Sequence, residues 1–248
     1  MSDSEYYTIL PFELTYNGHD ADDYGGWLAT VPKLTHSTVN RDRFAVPARD
    51  GELLGVDTQR SNAHVTATFH AKDSSNFAYL PLSKMRRWLT GTGLLNIVDM
   101  VTVDHEVMCY EVLDVNVTDE TKVDSIYGRL SVDFEIYPYE FEVAGYSTPI
   151  TTFPITNNYD ESMPIYKITS SSNATGTLTV NSKNMSYTIQ ADKPLFIDTR
   201  RMIAYDSTGA NRSRYVDGDY EDLHLKHGSN TINCTHTLQV TPRWGYFI

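Results

Sequence analysis

The chain has 248 residues, and its 32 acidic against 20 basic side chains give a formal net charge of −12. This is the length at which one hydrophobic core usually gives way to two. No apolar run reaches the roughly 18 residues that a membrane-spanning helix needs, and residues 1–5 are acidic, unlike a secretory signal. The totals therefore predict a two-domain protein with no membrane partner.

The negative charge is concentrated in the first part of the chain. Residues 1–145 contain 23 acidic and 11 basic side chains, whereas residues 146–248 contain 9 of each. A surface that grips nucleic acid needs the opposite sign, so we expect no specific nucleic-acid binding. Because the charge step coincides with a change in composition, we place the domain boundary near Gly145, with domains at residues 1–145 and 146–248.

The first domain is predicted to consist mainly of strands. Residues 12–18 alternate and end in Asn17-Gly18, which predicts a hairpin turn. Residues 44–54 predict a second hairpin with Asp50-Gly51 at its tip. Further strands are predicted at residues 63–70, 94–98, 107–117 and 128–137, with a charged turn at residues 118–124.

One short helix is predicted, at residues 80–91. Pro81 suits a first helical turn, and Gly91 is placed to end the helix in the left-handed conformation. The apolar face consists of Met85, Trp88 and Leu89. A lone amphipathic helix among strands has to bury this face against a sheet, so we expect it to plug an open barrel or sandwich.

The second domain is predicted to be an antiparallel β-sandwich. Its short strands, separated by turns rich in Asn, Gly and Pro, are predicted at residues 165–169, 176–180, 186–190, 195–198, 202–206 and 230–240. The fold class is therefore all-β with one short helix: an N-terminal split β-barrel or sandwich, followed by a C-terminal β-sandwich.

No pattern predicts catalytic residues, metal ligands or a cofactor, so we expect no enzymatic activity. On a strand, Asp104 and Glu106 would point one way and His105 the other, so these residues cannot converge on one ion. The acidic run at residues 217–222 lacks EF-hand spacing, which favours a plain turn. Cys109 and Cys234 are interpreted as free thiols, with a single disulfide as the alternative.

Tyrosines crowd the second domain, and exposed aromatic rings on a sandwich can stack on sugars. The candidate sugar-stacking residues are Tyr205, Tyr215 and Tyr220. One possible function is therefore a carbohydrate-binding adhesin that recognises a host cell-wall saccharide through the C-terminal domain. The alternative interpretation is that these aromatics pack in the core and on sheet faces.

Several segments resemble, in order and spacing, the siphophage distal tail proteins called Dit. They are VPARDGEL at residues 46–53, WLTG at 88–91, FEIYPY at 134–139, MPI at 163–165, GTLTVN at 176–181, LFID at 195–198 and GSNTI at 228–232. Each motif is short, but the ordered set covers nearly the whole chain. The sequence is therefore similar to a tail-tip or baseplate hub component.

The resemblance implies that the N-terminal domains form a homo-hexameric ring, or two stacked rings, and that the C-terminal domain is galectin-like. Such a ring lies at the tip of a long non-contractile tail in the virion, and DNA passes through its central channel. It links the major tail tube protein to the tail-associated lysin or tail fibre protein, and to receptor-binding proteins. The chain would be made in the bacterial host cytoplasm before assembly.

Two segments are the candidate contacts between subunits. The hairpin, through Val46, Arg49, Asp50 and Glu52, is expected to clasp the next subunit. On the helix, the basic face with Arg86 and Arg87 is expected to meet an acidic patch on a neighbour. The acidity of the first domain is expected to line the channel and repel DNA phosphates. Its alternative role is solubility before assembly.

Overall fold

The computed structural model describes residues 12–41, 43–45, 50, 52–55, 60–72, 79–99, 107–122 and 127–248. The chain forms two compact units, one ending at Glu140 but including Ile248, the other spanning Phe141–Phe247. Both are mainly β, which confirms the predicted fold class. Across the described ranges, no helix is both long and apolar enough to cross a membrane.

The N-terminal unit is built on one strongly curved sheet. Its elements are β1 (Phe12–Tyr16), β2 (Gly26–Leu28), β3 (Lys33–Thr35), β4 (Arg43–Ala45), β5 (Glu52–Leu54), β6 (Ala63–Lys72), α1 (Tyr79–Trp88), β7 (Gly93–Asp99), β8 (Val107–Lys122) and β9 (Tyr127–Ile136). The sheet has the order β1-β7-β8-β9-β6-β2, with β3 also paired to β6, and is nearly closed into a barrel. β4 and β5 form a separate two-stranded hairpin.

The paired strands β6 and β9 form the centre of this sheet. Their register runs without interruption from Ala63 opposite Ile136 to Lys72 opposite Tyr127. Every second side chain points inward, so Val65, Phe69 and Phe134 are fully buried. Each such side chain contributes about 1.5–3 kcal/mol of hydrophobic free energy. Strands were predicted at both places, and the structure confirms them.

Helix α1 lies against the inside of the sheet, as predicted, and Gly91 follows it with φ of +75°. Its buried face contains Leu82 as well as Met85, Trp88 and Leu89. Two glycines make room for it: a Cβ on Gly26 would lie 2.7 Å from Met85 Sδ, and one on Gly128 would lie 2.5 Å from Leu82 Cδ1. The helix therefore packs inside the barrel, with Met85 and Leu82 in close contact with the backbone at Gly26 and Gly128.

The first predicted turn is confirmed, but the strand before it has a different partner. Asn17 and Gly18 have φ of +54° and +79°, and the backbones of Tyr16 and His19 exchange hydrogen bonds of 2.8 and 3.2 Å. No strand returns directly along β1, which pairs instead with β7. The turn residues determine the turn, whereas packing on the core determines the pairing.

The charged turn predicted at residues 118–124 is wrong over residues 118–122. β8 continues as a strand to Lys122 and pairs with β9 through two bulges, at 112–114 and 117–119. The charges here are cross-strand partners: Arg129 Nη2 on β9 lies 2.8 Å from Asp119 Oδ2. An exposed strand tolerates charge on its outer side, so composition alone could not distinguish it from a loop.

The chain enters the C-terminal unit through β10 (Tyr139–Glu142) and a second helix, α2 (Val143–Ser147), which the sequence did not predict. Next come β11 (Ile155–Asn157), β12 (Ile165–Thr169), β13 (Ala174–Val180), β14 (Lys183–Ile189), β15 (Leu195–Asp198), β16 (Ile203–Asp206), β17 (Val216–Asp217), β18 (Gly228–Asn230), β19 (Ile232–Cys234), β20 (Thr237–Thr241) and β21 (Gly245–Phe247). Two four-stranded sheets, β16-β15-β12-β20 and β17-β14-β13-β19, enclose the core.

The single strand predicted at residues 230–240 is wrong. The segment contains three strands, because β18 pairs with β11, β19 with β13 and β20 with β12. The chain thus crosses from one sheet of the sandwich to the other between Cys234 and Thr237. A continuous strand could not pair with both sheets. The alternating sequence gives no signal of this crossing.

Candidate functional site

The helix of the N-terminal unit is fixed by hydrogen bonds at its C-terminal end. Trp88 Nε1 donates to the Tyr16 carbonyl at 2.9 Å, and Tyr16 Oη donates to the Gly91 carbonyl at 2.7 Å. The ring of Tyr24 stacks on Trp88 with centroids 5.0 Å apart. These contacts hold the opposite, solvent-facing side of the helix in a defined position.

That solvent-facing side carries the basic residues selected from the sequence. Arg86 and Arg87 are both exposed. Arg86 Nη1 lies 3.2 Å from Glu120 Oε2 on β8, so this guanidinium already has a carboxylate partner within its own chain. Arg87 is therefore better placed than Arg86 to meet another molecule.

The second set of candidate contacts lies on the hairpin. Backbone pairing places Arg43 opposite Leu54 and Ala45 opposite Glu52, so the two arms of the predicted hairpin are present. Asp50 is exposed at its far end. Val46 and Arg49 lie outside the described residues.

The outer face of strands β8 and β9 forms an acidic surface. Asp114 lies directly opposite Glu135, and Asn116 opposite Asp133, in the β8–β9 register. The two carboxylates of β9 have hydrogen-bond partners on neighbouring residues. Asp133 Oδ2 lies 2.9 Å from His64 Nδ1, and Glu135 Oε1 accepts a hydrogen bond from Asn62 Nδ2. The carboxylates of Asp133 and Glu135 are thus spread along a face and do not converge as a catalytic pair would.

In the C-terminal unit, a groove of about 550 Å³ lies on the outer face of the sheet β17-β14-β13-β19. This volume is within the range of about 300–1,000 Å³ that small-ligand sites occupy. The floor of the groove is lined by the hydroxyl side chains of Thr175, Thr177, Ser186, Thr188 and Thr235. Its wall is lined by Arg214, Tyr215 and Asp217.

A guanidinium group sets the chemistry of the groove wall. Arg214 Nη2 donates to Tyr215 Oη at 2.6 Å, and its guanidinium carbon lies 4.7 Å from the centre of the same ring. This contact lowers the pKa of Tyr215 below its usual value. The groove therefore offers hydrogen-bond donors on Arg214 and the hydroxyls, an acceptor on Asp217, and the aromatic surface of Tyr215.

Asp206 organises the loop that carries this wall. Its carboxylate accepts hydrogen bonds from Thr208, the Ala210 amide and Arg212, including an Arg212 Nε contact of 2.9 Å. The hydrogen bonds from Thr208 and Arg212 lower the pKa of the Asp206 carboxyl well below its usual range. Sequence reasoning missed both Asp206 and Arg214, although the spacing of Asp206, Thr208 and Ala210 is typical of an Asx turn.

Of the three tyrosines selected as sugar-stacking candidates, only Tyr215 lines this groove. Tyr205 stacks on Phe196 in the other sheet, with centroids 5.2 Å apart and the rings tilted by 5°. Tyr220 packs against the core with its hydroxyl buried. The three residues do not form one site.

The residues considered as metal ligands are dispersed. In the run 217–222, Asp222 Oδ1 pairs with Lys183 Nζ at 3.1 Å, and Asp219 Oδ1 accepts from the Glu221 amide at 3.0 Å. Residues 104–106 lie outside the described part of the chain. Within that part, no three His, Cys, Asp or Glu side chains are grouped to hold a metal ion.

Both cysteines are free thiols. Cys109 is buried in the N-terminal unit, and burial, with a smaller contribution from Glu111, raises the pKa of its thiol to about 11. Cys234 Sγ lies 3.2 Å from Tyr187 Oη in the C-terminal unit. Cys109 is therefore held in the unreactive thiol form at neutral pH.

The fold is similar to that of a known phage protein. Neither a family model nor a curated protein matches the chain. Among solved structures, the chain is similar to Dit (gp 19.1) of SPP1, with a TM-score of 0.59 and 12% sequence identity over 92% of this chain and 96% of that one. SPP1 Dit is characterised as a paradigm of the hub adsorption apparatus of phages that infect Gram-positive bacteria. The resemblance to Dit is thus confirmed as a resemblance of fold.

Proposed function

We propose that the chain is a structural, non-enzymatic distal tail protein, a hub at the tip of a long non-contractile phage tail. The observation that carries this proposal is the fold similarity to SPP1 Dit across 92% of this chain and 96% of that one. A fold alone does not define a function. The ordered motifs and the surfaces of the N-terminal unit add support.

In this proposal the N-terminal units assemble into a homo-hexameric ring, single or stacked with a second ring. The ring connects the major tail tube protein to the tail-associated lysin or tail fibre protein and to receptor-binding proteins in the virion. Two features of the N-terminal unit favour assembly: among the described residues the hairpin β4–β5 is not paired with the main sheet, and the solvent-facing side of α1 presents Arg87.

The acidic surface of β8 and β9 fits a channel through which DNA passes. Like charges directly opposite one another, such as Asp114 and Glu135, destabilise an isolated sheet. Such an arrangement is expected where repulsion of phosphate is useful, because DNA then slides without adhering. The acidic surface would face the lumen of the ring.

Electron microscopy and native mass spectrometry of the full chain test the ring, first alone and then with the tail tube protein and the lysin or fibre protein. We expect six copies around an axial opening, with the acidic surface of β8 and β9 lining it. A chain that stays monomeric under all these conditions would contradict the proposal. A ring with a basic lumen would contradict only the role given to the acidic surface.

A second function, as a carbohydrate-binding adhesin, is favoured by one observation: the groove that brings Tyr215, Arg214 and Asp217 together over a floor of hydroxyls. Such a set can form the many hydrogen bonds that a cell-wall saccharide requires. Titration of the full chain with cell-wall oligosaccharides should show saturable binding that Tyr215→Ala weakens at least about tenfold, as expected for the loss of about 1.4 kcal/mol.

Tyr205→Ala is the matched control, because Tyr205 is a partly exposed tyrosine of the same unit that lies outside the groove. Equal losses in both variants would indicate a general effect on the sandwich. Absence of saturable binding would rule out the adhesin function and leave the structural one intact.

A further inference from the structure

We infer that the groove on the sheet β17-β14-β13-β19 binds an acidic oligosaccharide that lies across the strands. A carboxylate or phosphate group of the ligand would bind Arg214, and its sugar hydroxyls would bind the row of polar side chains that begins at Asp217. The inference rests on the adhesin function proposed above and names the chemical class of its ligand. The observations behind it are polar side chains in rows across the strands, hydroxyls without an internal partner, and a guanidinium group without a carboxylate.

The backbone register places the first row of side chains directly across the sheet. Asp217 lies opposite Ser186, and Ser186 lies opposite Thr177. The row ends at Thr235, whose Oγ1 accepts a hydrogen bond of 2.9 Å from the Thr177 amide. Neighbouring strands are about 4.8 Å apart, so the row spans about 14 Å from β17 to β19. That length fits a short chain of linked sugars better than a single ring.

A second row lies two residues further along the strands, on the same face of the sheet. It contains Thr175 and Thr188, which are opposite each other on β13 and β14. Tyr215, which immediately precedes Val216 of β17, completes it at the wall of the groove. Two residues of a strand rise about 6.6 Å, so a ligand between the rows can contact both of them.

The hydroxyls of the floor are available to a ligand. Thr175, Thr177 and Thr188 are exposed, and none of their hydroxyls is hydrogen-bonded to another of the described residues. A hydroxyl both donates and accepts, as the hydroxyls of a sugar also do. The carboxylate of Asp217 adds an acceptor at the end of the first row. The floor therefore matches a polyhydroxylated ligand.

The charge of the wall favours an acidic saccharide over a neutral one. Arg214 is exposed, and none of the described carboxylates forms an ion pair with it. Arg212, by contrast, pairs with Asp206 at 2.7 Å. The bond to Tyr215 uses one of the five N–H donors of Arg214, and a guanidinium can hold a carboxylate or phosphate through two parallel hydrogen bonds. Arg214 is therefore available to an anionic group.

Positive charge also surrounds the ring of Tyr215. The guanidinium carbons of Arg214 and Arg212 lie 4.7 and 5.7 Å from the centre of the ring. Lys193 lines an adjoining small cavity that shares Thr188 and Tyr215 with the groove. The hydrogen bond from Arg214, followed by the charges of both arginines, lowers the pKa of Tyr215. The potential that favours the ionised phenol also favours an anionic group of a ligand at this end of the groove.

Binding of oligosaccharides to the full chain tests the inference. The probes are chitotetraose, which is neutral, the same tetrasaccharide phosphorylated at O6, and a hyaluronan tetrasaccharide, which carries carboxylates. Neutral and acidic cell-wall oligosaccharides complete the set. We expect the acidic members to bind at least about tenfold more tightly than the neutral ones at low ionic strength. Added salt should reduce this preference, because it screens an exposed guanidinium. The phosphate and carboxylate probes show which anion the groove prefers.

Arg214→Gln separates the charge of the wall from the hydroxyls of the floor. It should weaken the acidic probes at least about tenfold and reduce their dependence on salt, while neutral probes change less than about twofold. Arg201→Gln is the matched control, because it removes the same charge from an exposed residue of the same unit outside the groove. Thr177→Val removes a floor hydroxyl and should weaken acidic and neutral probes alike.

The outcomes separate the ligand class from the adhesin function. Saturable binding without a preference for acidic members, or equal losses in Arg214→Gln and Arg201→Gln, overturns the inference and leaves the adhesin function standing. Inorganic phosphate that binds as tightly as phosphorylated chitotetraose would indicate a simple anion site and also overturn the inference. No saturable binding of any oligosaccharide overturns both and leaves the structural function intact.

Discussion

The two units differ in how their described residues find partners. In the C-terminal unit, two buried amides find several partners inside the unit, although Ser162 Oγ and Tyr220 Oη are buried without a hydrogen-bond partner among the described residues. Buried Asn230 donates to the carbonyls of Lys226 and Gly228 and accepts from Asn181 Nδ2 at 2.7 Å. Buried Asn157 donates to the Leu225 carbonyl at 3.0 Å. These amides tie together segments that are distant in the sequence.

In the N-terminal unit, strand pairing among the described residues is less complete. Its longest strand has a partner on the β7 side over only part of its length, and its hairpin does not join the main sheet of the described residues. Asp114 and Glu135 face each other with like charge. This difference in strand pairing is what the proposed assembly through the N-terminal unit would require.

The largest expected effect comes from breaking the internal pairing of the C-terminal unit. Arg243 forms a double contact with Asp198, at 3.0 and 3.3 Å, and both side chains are buried. Arg243→Met keeps the aliphatic stem but leaves a buried carboxylate without its counter-ion. We expect the free energy of unfolding to fall by about 3–5 kcal/mol. Hydrogen exchange, resolved by segment, should show the loss within residues 141–247.

Arg201→Ala is the control for this variant, because Arg201 is exposed and close in sequence to Asp198. Its effect should stay within about 0.5 kcal/mol. The double variant Asp198→Leu/Arg243→Met removes both charges and should recover much of the loss. If the double variant is as unstable as the single one, packing and not charge accounts for the effect.

The sequence predicted the elements whose side chains alternate or recur with a clear period. β6, β9 and α1 belong to this group, because one of their faces is buried and the other is not. Prediction from the sequence failed where the pairing of a strand depends on strands that are distant in the chain. Residues 118–122 are charged because they lie on an exposed strand, and residues 230–240 change sheets without a change in pattern. Helix α2 is only five residues long and so has little periodicity.

The candidate site was less predictable than the fold. Composition identified an acidic first domain and a tyrosine-rich second one, but it could not show which residues meet. The structure shows the role of Asp206 through its hydrogen bonds to the loop that follows it, and that of Arg214 through its hydrogen bond to Tyr215. Within the described residues, the pairing of β8 with β7 stops at Val112, and no local sequence pattern encodes that limit.

An intermediate effect is expected from pH, and it should appear in the N-terminal unit. Burial, and then the charge of Arg129, lower the pKa of His70 below its usual value of about 6.5. As the pH falls, the unfolded chain therefore binds a proton before the folded one does, and folding loses free energy. Stability should decrease from about pH 6.5 down to the lower pKa of the folded state. Thermal unfolding monitored across this range measures the decrease.

His70→Gln should flatten this part of the pH profile, because it removes the titrating ring that packs edge-on against Trp27 at 5.7 Å. His36→Gln is the matched control, since His36 is exposed in the same unit, and its profile should follow that of the wild type. An unchanged slope in His70→Gln would show that another group carries the dependence.

The smallest expected effect is a gain in stability from relieving the like-charge pair. Asp114 lies opposite Glu135, and its Oδ1 accepts a hydrogen bond from the Val115 amide at 2.9 Å. Asp114→Asn keeps an oxygen for that bond and removes the repulsion, so the free energy of unfolding should rise by about 0.2–1 kcal/mol.

Asp119→Asn is the opposite control, because Asp119 is paired with Arg129 at 2.8 Å and its neutralisation should lower stability slightly. Chemical denaturation of both variants measures the two signs. Equal signs would mean that the carboxylates of β8 do not respond to their cross-strand neighbours, and the difference between the two units would then rest on strand pairing alone.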